Sequence, residues 1–257
     1  ACVLAVPHTL PDDIIQLARS GHRCIRICTT EEAEATAAAI GAAMTLSLPI
    51  LSWTSVRGVH DGLLVDSASV PDTENPAAAL FHLSRHAAPT LLVLFDVVPF
   101  LRQDARTLRA LRELIERCER TGSLVILIDH DGEPPAVLRA HSVSVEVPLP
   151  TRDRIEEIVR TTIKAIHREL QSKGHKVEAD LSRAEFDAIL KNLQGLNERQ
   201  VVQVIRDVTL PDRKLSMEDL NQVLVIKRRI LRSEGVLESV ESPTSLDQIG
   251  GLARLKQ

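Results

Sequence analysis

The sequence predicts an α/β domain with a parallel sheet of about five strands, followed by an all-helical bundle. Apolar segments such as TLLVLFDV and SLVILID alternate with helical segments in the first half, and they are too uniformly apolar for a sheet with one wet face. Four helical segments with short connections make up most of the second half. We therefore expect helices on both faces of the sheet and right-handed crossovers between its strands.

A change in composition predicts where the α/β part ends. The first 150 residues contain no Lys and carry a net charge of −6, whereas the remainder carries +2 and begins its lysines at Lys164. Two prolines in PLPTRDR punctuate the same region. We predict an α/β domain over 1–150, a helical bundle over 151–236, and a linker over 237–257 that leads into a further element.

Within the first half, local patterns predict each element in turn. HRCIRICT is a strand, and TEEAEATAAAIGAAM is the helix after it, capped by Thr29 or Thr30. PILSWTS is the next strand, and a short strand at LLV, residues 63–65, is expected in the polar loop that follows. A helix begins at the Pro of PAAALFHLSRHA. RQDARTLRALRELIERCERTG is one long amphipathic helix between the two apolar strands, and HSVSVEV closes the set.

The second half predicts four helices. TRDRIEEIVRTTIKAIHRELQSKG ends at Gly174. DLSRAEFDAILKNLQGL is capped by Asp180 or Ser182, and NERQVVQVIRDVTL follows it. SMEDLNQVLVIKRRILRSEG is the last helix, with Ser216 as its cap.

Composition excludes several classes of function. The net charge of −4 gives no general attraction to nucleic acid, and 2% aromatic residues leave few platforms for base stacking. The longest apolar stretch is short and contains an Asp, so no membrane span is expected. ACVLAVPHTLPDD lacks the basic start of a signal peptide, which predicts a cytoplasmic protein. Cys24 and Cys28 lie about 13 Å apart on one predicted strand, too far for a disulfide.

The turn after the first strand is unsuited to phosphate. A P-loop has the pattern GxxxxGK[ST], in which backbone N–H groups surround the phosphates and a Lys contacts them. Here the strand runs into its helix through Thr29, Thr30, Glu31 and Glu32, without Gly or Lys. The two glutamates would themselves occupy the positive end of the helix and repel phosphate. We therefore predict that residues 1–150 do not hydrolyse ATP by the P-loop mechanism.

Two acids end the apolar strands. Asp96 follows LLVLF, where a Walker B aspartate would hold Mg²⁺, but Val97 replaces the second acid that would activate water. Asp129 ends the next strand, at a position like that of a sensor residue. The interpretation that we favour for both is a carboxylate that only ends a strand or lies in the loop after it. Together the two acids could bind a cation weakly. A phosphoacceptor domain would need a Lys soon after the last strand, and none follows HSVSVEV closely, so we discount that class of protein.

Other polar residues give weaker signals. His82 and His86 are spaced like a metal pair but lack a third ligand, and His130 and His141 lack a nearby nucleophile. We interpret them as ordinary surface or half-buried histidines. The basic stripe of the last helix reads as a solvated face, with an acidic partner or nucleic acid as the alternative; its members are Lys227, Arg228, Arg229 and Arg232.

Nearly the whole chain loosely resembles one family of AAA+ ATPases. The segments that carry the resemblance are TTEEAEA, SWTSVRGVHDG, NPAAALFHL, LLVLFDVVPFL, VEVPLPTRDRIEEI and GVLESVESPTSLDQIGGLARLKQ. The family is named after the forty-sixth hypothetical chloroplast reading frame of the ycf series and occurs in plastids, cyanobacteria and other bacteria. The resemblance implies that this chain has a degenerate, P-loop-like AAA+ fold with a helical lid, and that it lies in front of an ATPase core.

The phrase SLDQIGGL resembles the opening of an AAA+ catalytic core. The resemblance implies that such a core follows Gln257, and that part of its adenine pocket comes from Asp247, Ile249, Gly250 and Gly251. It also implies a parent protein that binds ATP and Mg²⁺, forms a homo-oligomer and remodels a protein or complex, in the plastid stroma for plastid relatives. For this chain alone we expect no cofactor, no catalysis, and a protein partner whose identity the sequence does not give.

Three hypotheses follow. The first is a non-hydrolysing regulatory or partner-binding region in front of an ATPase core. The second is a stand-alone binding or scaffold protein, which is favoured if the natural chain ends at Gln257. The third is a weak nucleotide sensor that uses Asp96 and Asp129.

Overall fold

The computed structural model describes residues 9–64, 66–130, 133–172, 178–179 and 181–233. Its contacts divide the chain into two compact units, Ala1–Pro148 and Leu149–Gln257. The described part of the first unit alternates helices and strands, and that of the second is mostly helical. Each unit contains apolar core clusters of its own.

The first unit is a wound α/β domain. Its elements are α1 (Leu10–Arg19), β1 (Cys24–Cys28), α2 (Glu32–Leu46), β2 (Ile50–Thr54), β3 (Gly58–Asp61), α3 (Pro76–Ser84), β4 (Leu91–Phe95), α4 (Val98–Gln103), α5 (Ala105–Thr121), β5 (Leu124–Asp129), α6 (Ala136–His141) and β6 (Val143–Val145).

Within the described residues of this unit, the sheet has six strands in the order β3-β2-β4-β5-β1-β6. Every neighbouring pair is parallel except β2 and β3, which form an antiparallel hairpin at one edge. The register places Cys28 beside Asp129, and Phe95 beside Ile128. Strands β1, β5 and β4 therefore end together, and we call this end of the sheet the crest. The predicted parallel sheet is confirmed, and the hairpin strand adds to the expected five.

Both faces of the sheet are covered by helices. Residues of β5 from Leu124 to Ile128 are at most 3% exposed, and they alternate between two core clusters. One cluster joins the sheet to α1 and α2 through side chains such as Ile14 and Ala39. The other joins it to α3 and α5 through side chains such as Leu80 and Leu111. Burial on both faces explains why these strands are almost purely apolar.

The predicted strand at residues 63–65 is wrong where the structure describes it. Leu63 and Leu64 are exposed, and their amide groups donate to the Asp61 carboxylate in a tight turn. The hairpin strand instead covers Gly58–Asp61. Local hydrophobicity misled the prediction, because an Asp can hold the following backbone in a turn whatever side chains come next.

The helix predicted over RQDARTLRALRELIERCERTG is also two helices rather than one. Asp104 has extended backbone angles, and its carboxylate accepts hydrogen bonds from the amides of Arg106 and Thr107. This cap starts α5 and separates it from α4. Helix α1 was not predicted, although Thr9 and Asp12 form a capping box with a proline inside the first turn.

The second unit contains the four predicted helices. Its elements are α7 (Arg152–Gln171), β7 (Glu178–Ala179), α8 (Arg183–Leu193), α9 (Glu198–Thr209), β8 (Lys214–Leu215), a short 3-10 helix (Met217–Asp219) and α10 (Leu220–Ser233). Ser182 caps α8 as predicted, whereas Asp180 and Gly174 lie outside the described residues. The parallel pair β7 and β8 was not predicted, so the unit is not purely helical.

The helices of the second unit enclose an aliphatic core. Leu190, Leu193, Val204 and Ile205 are fully buried within it. In the described part of the chain, no helix combines the length and apolar character needed to cross a membrane.

We predict that position 58 requires glycine for two reasons: its backbone is left-handed, and there is no room for a Cβ atom. Gly58 has a φ of +71°, and a Cβ there would collide with the Thr73 hydroxyl and lie 3.1 Å from the Thr73 carbonyl carbon. That hydroxyl accepts from the Val59 amide at 2.8 Å and donates to the Val70 carbonyl at 2.6 Å, so it is fixed in place. Gly58→Ala should lower the free energy of unfolding by about 3 kcal/mol.

The matched control is Gly122→Ala, because Gly122 has a φ of +79° and open space around its Cα. This variant should cost only about 1 kcal/mol, the conformational cost of a left-handed residue. Urea unfolding followed by the fluorescence of Trp53, the single Trp of the chain, measures both. Equal losses in the two variants would contradict the packing argument.

Candidate functional site

Three turns meet at the crest. They follow β1, β4 and β5, and backbone hydrogen bonds join them: the Thr29 amide donates to the Asp129 carbonyl, and the Asp96 amide donates to the Ile128 carbonyl, both at 2.9 Å. The crest surrounds a cavity of about 330 Å³, lined by Thr29, Thr30, Glu32, Asp96, Ile128, Asp129 and His130. In open α/β sheets the carboxyl ends of the strands are where ligands bind, so this cavity is the candidate site.

The turn between β1 and α2 provides oxygen atoms rather than phosphate ligands. The Thr29 hydroxyl accepts a hydrogen bond from the Glu31 amide at 2.9 Å, within the turn itself. The predicted capping of α2 by Thr29 or Thr30 is therefore wrong, since Glu31 holds the cap position without a side-chain cap. Glu32 and Glu34 lie in the first helical turn, where carboxylates interact favourably with the helix dipole.

Asp96 lies at the exit of β4 and is largely exposed. Its φ of +50° turns the chain sharply, and its Oδ1 is 2.8 Å from Nδ1 of His130. Side-chain exposures are 53% for Asp96 and 64% for His130, so solvent screens this pair. Val97 next to it is fully buried in the core. The position of a second acid is thus occupied by an apolar side chain that is buried in the core and is absent from the cavity lining.

Asp129 is the unusual residue of the crest. It is only 2% exposed, and its Oδ1 accepts a hydrogen bond from the Val98 amide at 2.9 Å. Its Oδ2 is buried and has no hydrogen-bond partner among the described residues. The pKa of Asp129 is raised to about 6, and burial is the largest cause. The hydrogen bond from the Val98 amide lowers the pKa, the charge of Asp96 raises it, and the charges of Arg26 and His130 lower it.

The remaining polar candidates do not come together. Among the described residues no three His, Cys, Asp or Glu side chains lie close enough to hold a metal ion. His82 and His86 are both exposed, and His86 lies beyond the end of α3. Burial raises the pKa of the Cys24 and Cys118 thiols to about 12, so both stay protonated at neutral pH and are poor nucleophiles.

The basic stripe of α10 divides into two parts. Lys227 donates to the Gln194 carbonyl at 2.5 Å, and partial burial lowers its pKa. The three arginines and Val225 surround a separate shallow cavity of about 360 Å³; they are Arg228, Arg229 and Arg232. The residues predicted for an adenine pocket lie outside the described part of the chain: Asp247, Ile249, Gly250 and Gly251.

Comparison with known families agrees with this architecture. The model of the N-terminal domain of SpoVK-like AAA ATPases matches residues 10–147, and the model of the second domain of the same ATPases matches residues 153–234. An uncharacterized AAA domain-containing protein, ycf46 of Guillardia theta, is 24% identical over 208 residues. That match covers 80% of this chain but only 38% of the relative's length.

Solved AAA domains have a similar fold. The FIGL-1 AAA domain aligns with a TM-score of 0.56 at 12% identity, over 84% of this chain and 78% of that one. C. elegans PCH-2 aligns with a TM-score of 0.51 at 14% identity, over 86% of this chain and 67% of that one. The FIGL-1 AAA domain in complex with ADP gives a TM-score of 0.51 at 13% identity, over 93% of this chain and 82% of that one.

The fold and the family matches define an AAA+ ATPase-type module. The chain belongs to the SpoVK-like AAA ATPases, and its predicted resemblance to the ycf46 family is confirmed.

We predict that Asp129 makes stability depend on pH. Its folded pKa of about 6 exceeds the ordinary value of 3.8, so the folded protein binds this proton more tightly than the unfolded chain does. Through this group, the free energy of unfolding falls as pH rises from about 4 to about 6, by roughly 2 to 3 kcal/mol. Asp129→Asn should therefore be the more stable protein at pH 7.5, by about 1 to 3 kcal/mol.

The difference between the wild type and Asp129→Asn should shrink towards zero near pH 4, where both side chains are neutral. Urea unfolding monitored by Trp53 fluorescence across this pH range measures it. Asp96→Asn is the matched control, because exposed Asp96 should change stability by less than about 1 kcal/mol. A wild type that is more stable than Asp129→Asn at pH 7.5 would refute the account of the buried carboxylate.

Proposed function

We propose that this chain is a non-hydrolysing regulatory or partner-binding region of an ATP-dependent AAA+ ATPase. The observation that carries the proposal is the acidic crest. The turn between β1 and α2 is the position of a P-loop in a strand–loop–helix nucleotide site, and here it presents Thr29, Thr30 and Glu32. Family membership supports an ATPase-type module, and the residues of this crest support a module without the ATPase reaction.

Electrostatics disfavour ATP at the crest. Glu32, Asp96 and Asp129 line the cavity, and the first Lys of the chain is Lys164, in the other unit. A carboxylate and a phosphate charge about 5 Å apart repel each other by roughly 1 to 3 kcal/mol, depending on solvent exposure. Three such carboxylates would weaken phosphate binding by several orders of magnitude relative to a P-loop with its Lys.

The crest also lacks a residue that ATP hydrolysis requires. Hydrolysis requires a residue that orients the attacking water beside the Mg²⁺ ligand. Asp96 stands where that ligand would be, but Val97 is buried and apolar. A Mg²⁺ held by Asp96 would have neither phosphate nor an activated water to act upon.

The parent protein supplies the ATPase activity in this proposal. The chain matches 38% of the length of its ycf46 relative, which leaves room for a catalytic core elsewhere in such a protein. We place that core after residues 237–257, where it would bind ATP and Mg²⁺ with help from Asp247, Ile249, Gly250 and Gly251. The assembled protein would be a cytoplasmic or stromal homo-oligomer that remodels a protein or complex.

The first test is ATP binding by residues 1–257. Titration with ATP and Mg²⁺ up to about 1 mM, followed by calorimetry and by release of inorganic phosphate, should give neither saturable heat nor hydrolysis, because the crest repels phosphate. The same chain extended through the next domain of its natural protein should bind and hydrolyse ATP.

Asp129→Asn serves as the diagnostic variant in this titration. If the crest binds ATP–Mg²⁺ stoichiometrically and the variant changes that affinity, the chain is a nucleotide sensor and the proposal is wrong. If the extended protein also fails to bind ATP, the assignment to an ATP-driven parent is wrong, and the chain is a stand-alone binding module.

A further inference from the structure

A second cavity lies wholly within the second unit, away from the crest residues. Its volume is about 430 Å³, within the range of about 300 to 1,000 Å³ that is typical of ligand pockets. Helix α7, the start of α8 and strand β8 contribute its lining. We call it the α7–α8 groove; its half-buried apolar members are Ile163, Leu181 and Phe186, and its cations are Arg160, Lys164 and Arg183.

The apolar part of the groove adjoins the core of the unit. Ile163, Leu181 and Phe186 pack against the core cluster, yet each remains partly exposed to solvent. Leu215, which also belongs to the lining, is fully buried. An apolar side chain from a partner would therefore remove apolar surface from water when it enters the groove. Pockets of this kind receive the anchor residues of protein–protein interfaces.

Every charged side chain in the lining is a cation. Lys164 is exposed, and residues three and four positions away on a helix are its surface neighbours. On α7 those neighbours are Arg160, Thr161, His167 and Arg168, so its own helix gives Lys164 no carboxylate. The charge of the groove is therefore positive on its α7 side.

Acids close in sequence to the groove already have partners. Glu156 accepts two hydrogen bonds from Arg160, at 2.7 and 2.9 Å, and Asp187 accepts one from Arg152 at 2.7 Å. Glu185 is engaged in the capping box of α8. Within the part of the chain that the structure describes, no carboxylate forms an ion pair with the other two cations of the groove. Two positive charges are thus left for the carboxylates of a partner.

Arg160 connects the apolar and the charged parts of the groove. Its guanidinium lies over the Phe186 ring, with Cζ 5.1 Å from the ring centroid, and Glu156 holds it from the other side of one helical turn. A cation over an aromatic face is attracted to the ring. This contact fixes the position of the ring, so the groove is formed before any partner arrives.

We propose that the α7–α8 groove binds an acidic peptide segment of a partner protein. One aliphatic side chain of the segment enters the groove beside Phe186, and carboxylates on either side of it pair with Lys164 and Arg183. This inference rests on the proposed partner-binding function, and it names both the surface that binds and the chemistry of the segment that is bound.

The test is a titration of the isotope-labelled chain, residues 1–257, followed by backbone amide resonances. The probe is N-acetyl-Asp-Glu-Leu-Glu-Asp amide, and it should shift the amides of Lys164, Ser182, Arg183 and Phe186 saturably at millimolar concentration. The neutral twin, N-acetyl-Asn-Gln-Leu-Gln-Asn amide, should bind about 3- to 10-fold more weakly, as expected for the loss of two partly exposed charge pairs. Replacing the central Leu of the probe by Ala should weaken it by about 10-fold, because less apolar surface is buried.

Variants locate the charges that bind. Lys164→Gln combined with Arg183→Gln should weaken the acidic probe by about 3- to 10-fold and leave the affinity of the neutral twin unchanged. The unchanged twin also shows that the apolar part of the groove is intact in the variant. Lys191→Gln is the matched control, because it removes an exposed Lys of α8 that does not line the groove, and it should change neither affinity.

Four outcomes of these titrations would overturn the inference. They are the absence of saturable shifts at the groove with the acidic probe, equal affinity for the neutral twin, an unchanged affinity in the double variant, and the same shifts produced by inorganic phosphate alone. The last result would show a site for small anions that needs no apolar anchor.

Other occupants of the groove have their own signatures. A dimer in sedimentation velocity that the double variant dissociates would show that a second copy of the chain covers the groove. Tighter binding of the probe after Glu238→Gln combined with Glu241→Gln would show that the chain's own acidic segment competes for it. Either result refutes a partner protein, whereas a monomer with unchanged probe affinity supports one.

An ATP–Mg²⁺ titration separates this inference from the proposed function. If ATP gives no shifts and the acidic probe fails, only the present inference is wrong. If ATP shifts the amides of Thr29 and Thr30 at the crest, the proposed function is wrong, whatever the groove binds. If ATP shifts the groove amides instead, the groove is a nucleotide site and the inference is refuted.

Discussion

The parallel pairing of β1, β5 and β4 is the constraint on which the rest of the structure depends. It brings three strand ends to one crest, and the turns after them share backbone hydrogen bonds between Thr29 and Asp129 and between Asp96 and Ile128. Without that register, the acids of separate turns would not line one cavity. The uniformly apolar strands secure the register, because helices cover both faces of the sheet and a slip would disturb both cores.

In a P-loop protein this end of the sheet binds phosphate, whereas here it carries carboxylate side chains. The change reverses the electrostatic requirement of the site. A P-loop offers N–H donors and a Lys, and its ligand brings the negative charge. This crest instead presents the carboxylates of Glu32, Asp96 and Asp129. Burial of Asp129 disfavours its charged form and raises its pKa to about 6.

Much of the fold could be predicted from the sequence, because its signals are local and strong. Apolar runs predicted β4 and β5, and the capping residue Ser182 predicted the start of α8. The weak elements failed for physical reasons. The hairpin strand Gly58–Asp61 has only four residues, and its position depends on pairing with β2 rather than on its own pattern. The break at Asp104 was hidden by continuous helical periodicity on both sides of it.

The candidate site, like the fold, could be predicted only in part from the sequence. The lack of a P-loop and the positions of Asp96 and Asp129 at strand ends could be read from the sequence, because parallel strands end at one edge. Their roles stay predictions. The unpartnered Oδ2 of Asp129 could not be foreseen, since it depends on how α4 and the crest turns bury the carboxylate. The adjacency of His130 and Asp96 also required the three-dimensional register of the turns.

The central claim is that the crest of this module is not a nucleotide site. Photoaffinity labelling of the natural protein with azido-ATP, followed by mass-spectrometric mapping of the labelled peptides, tests it most directly. The account predicts labels only outside residues 9–233. Labels on the turn Thr29–Glu32 or on Asp96 and its neighbours, suppressed by excess ATP, would contradict it.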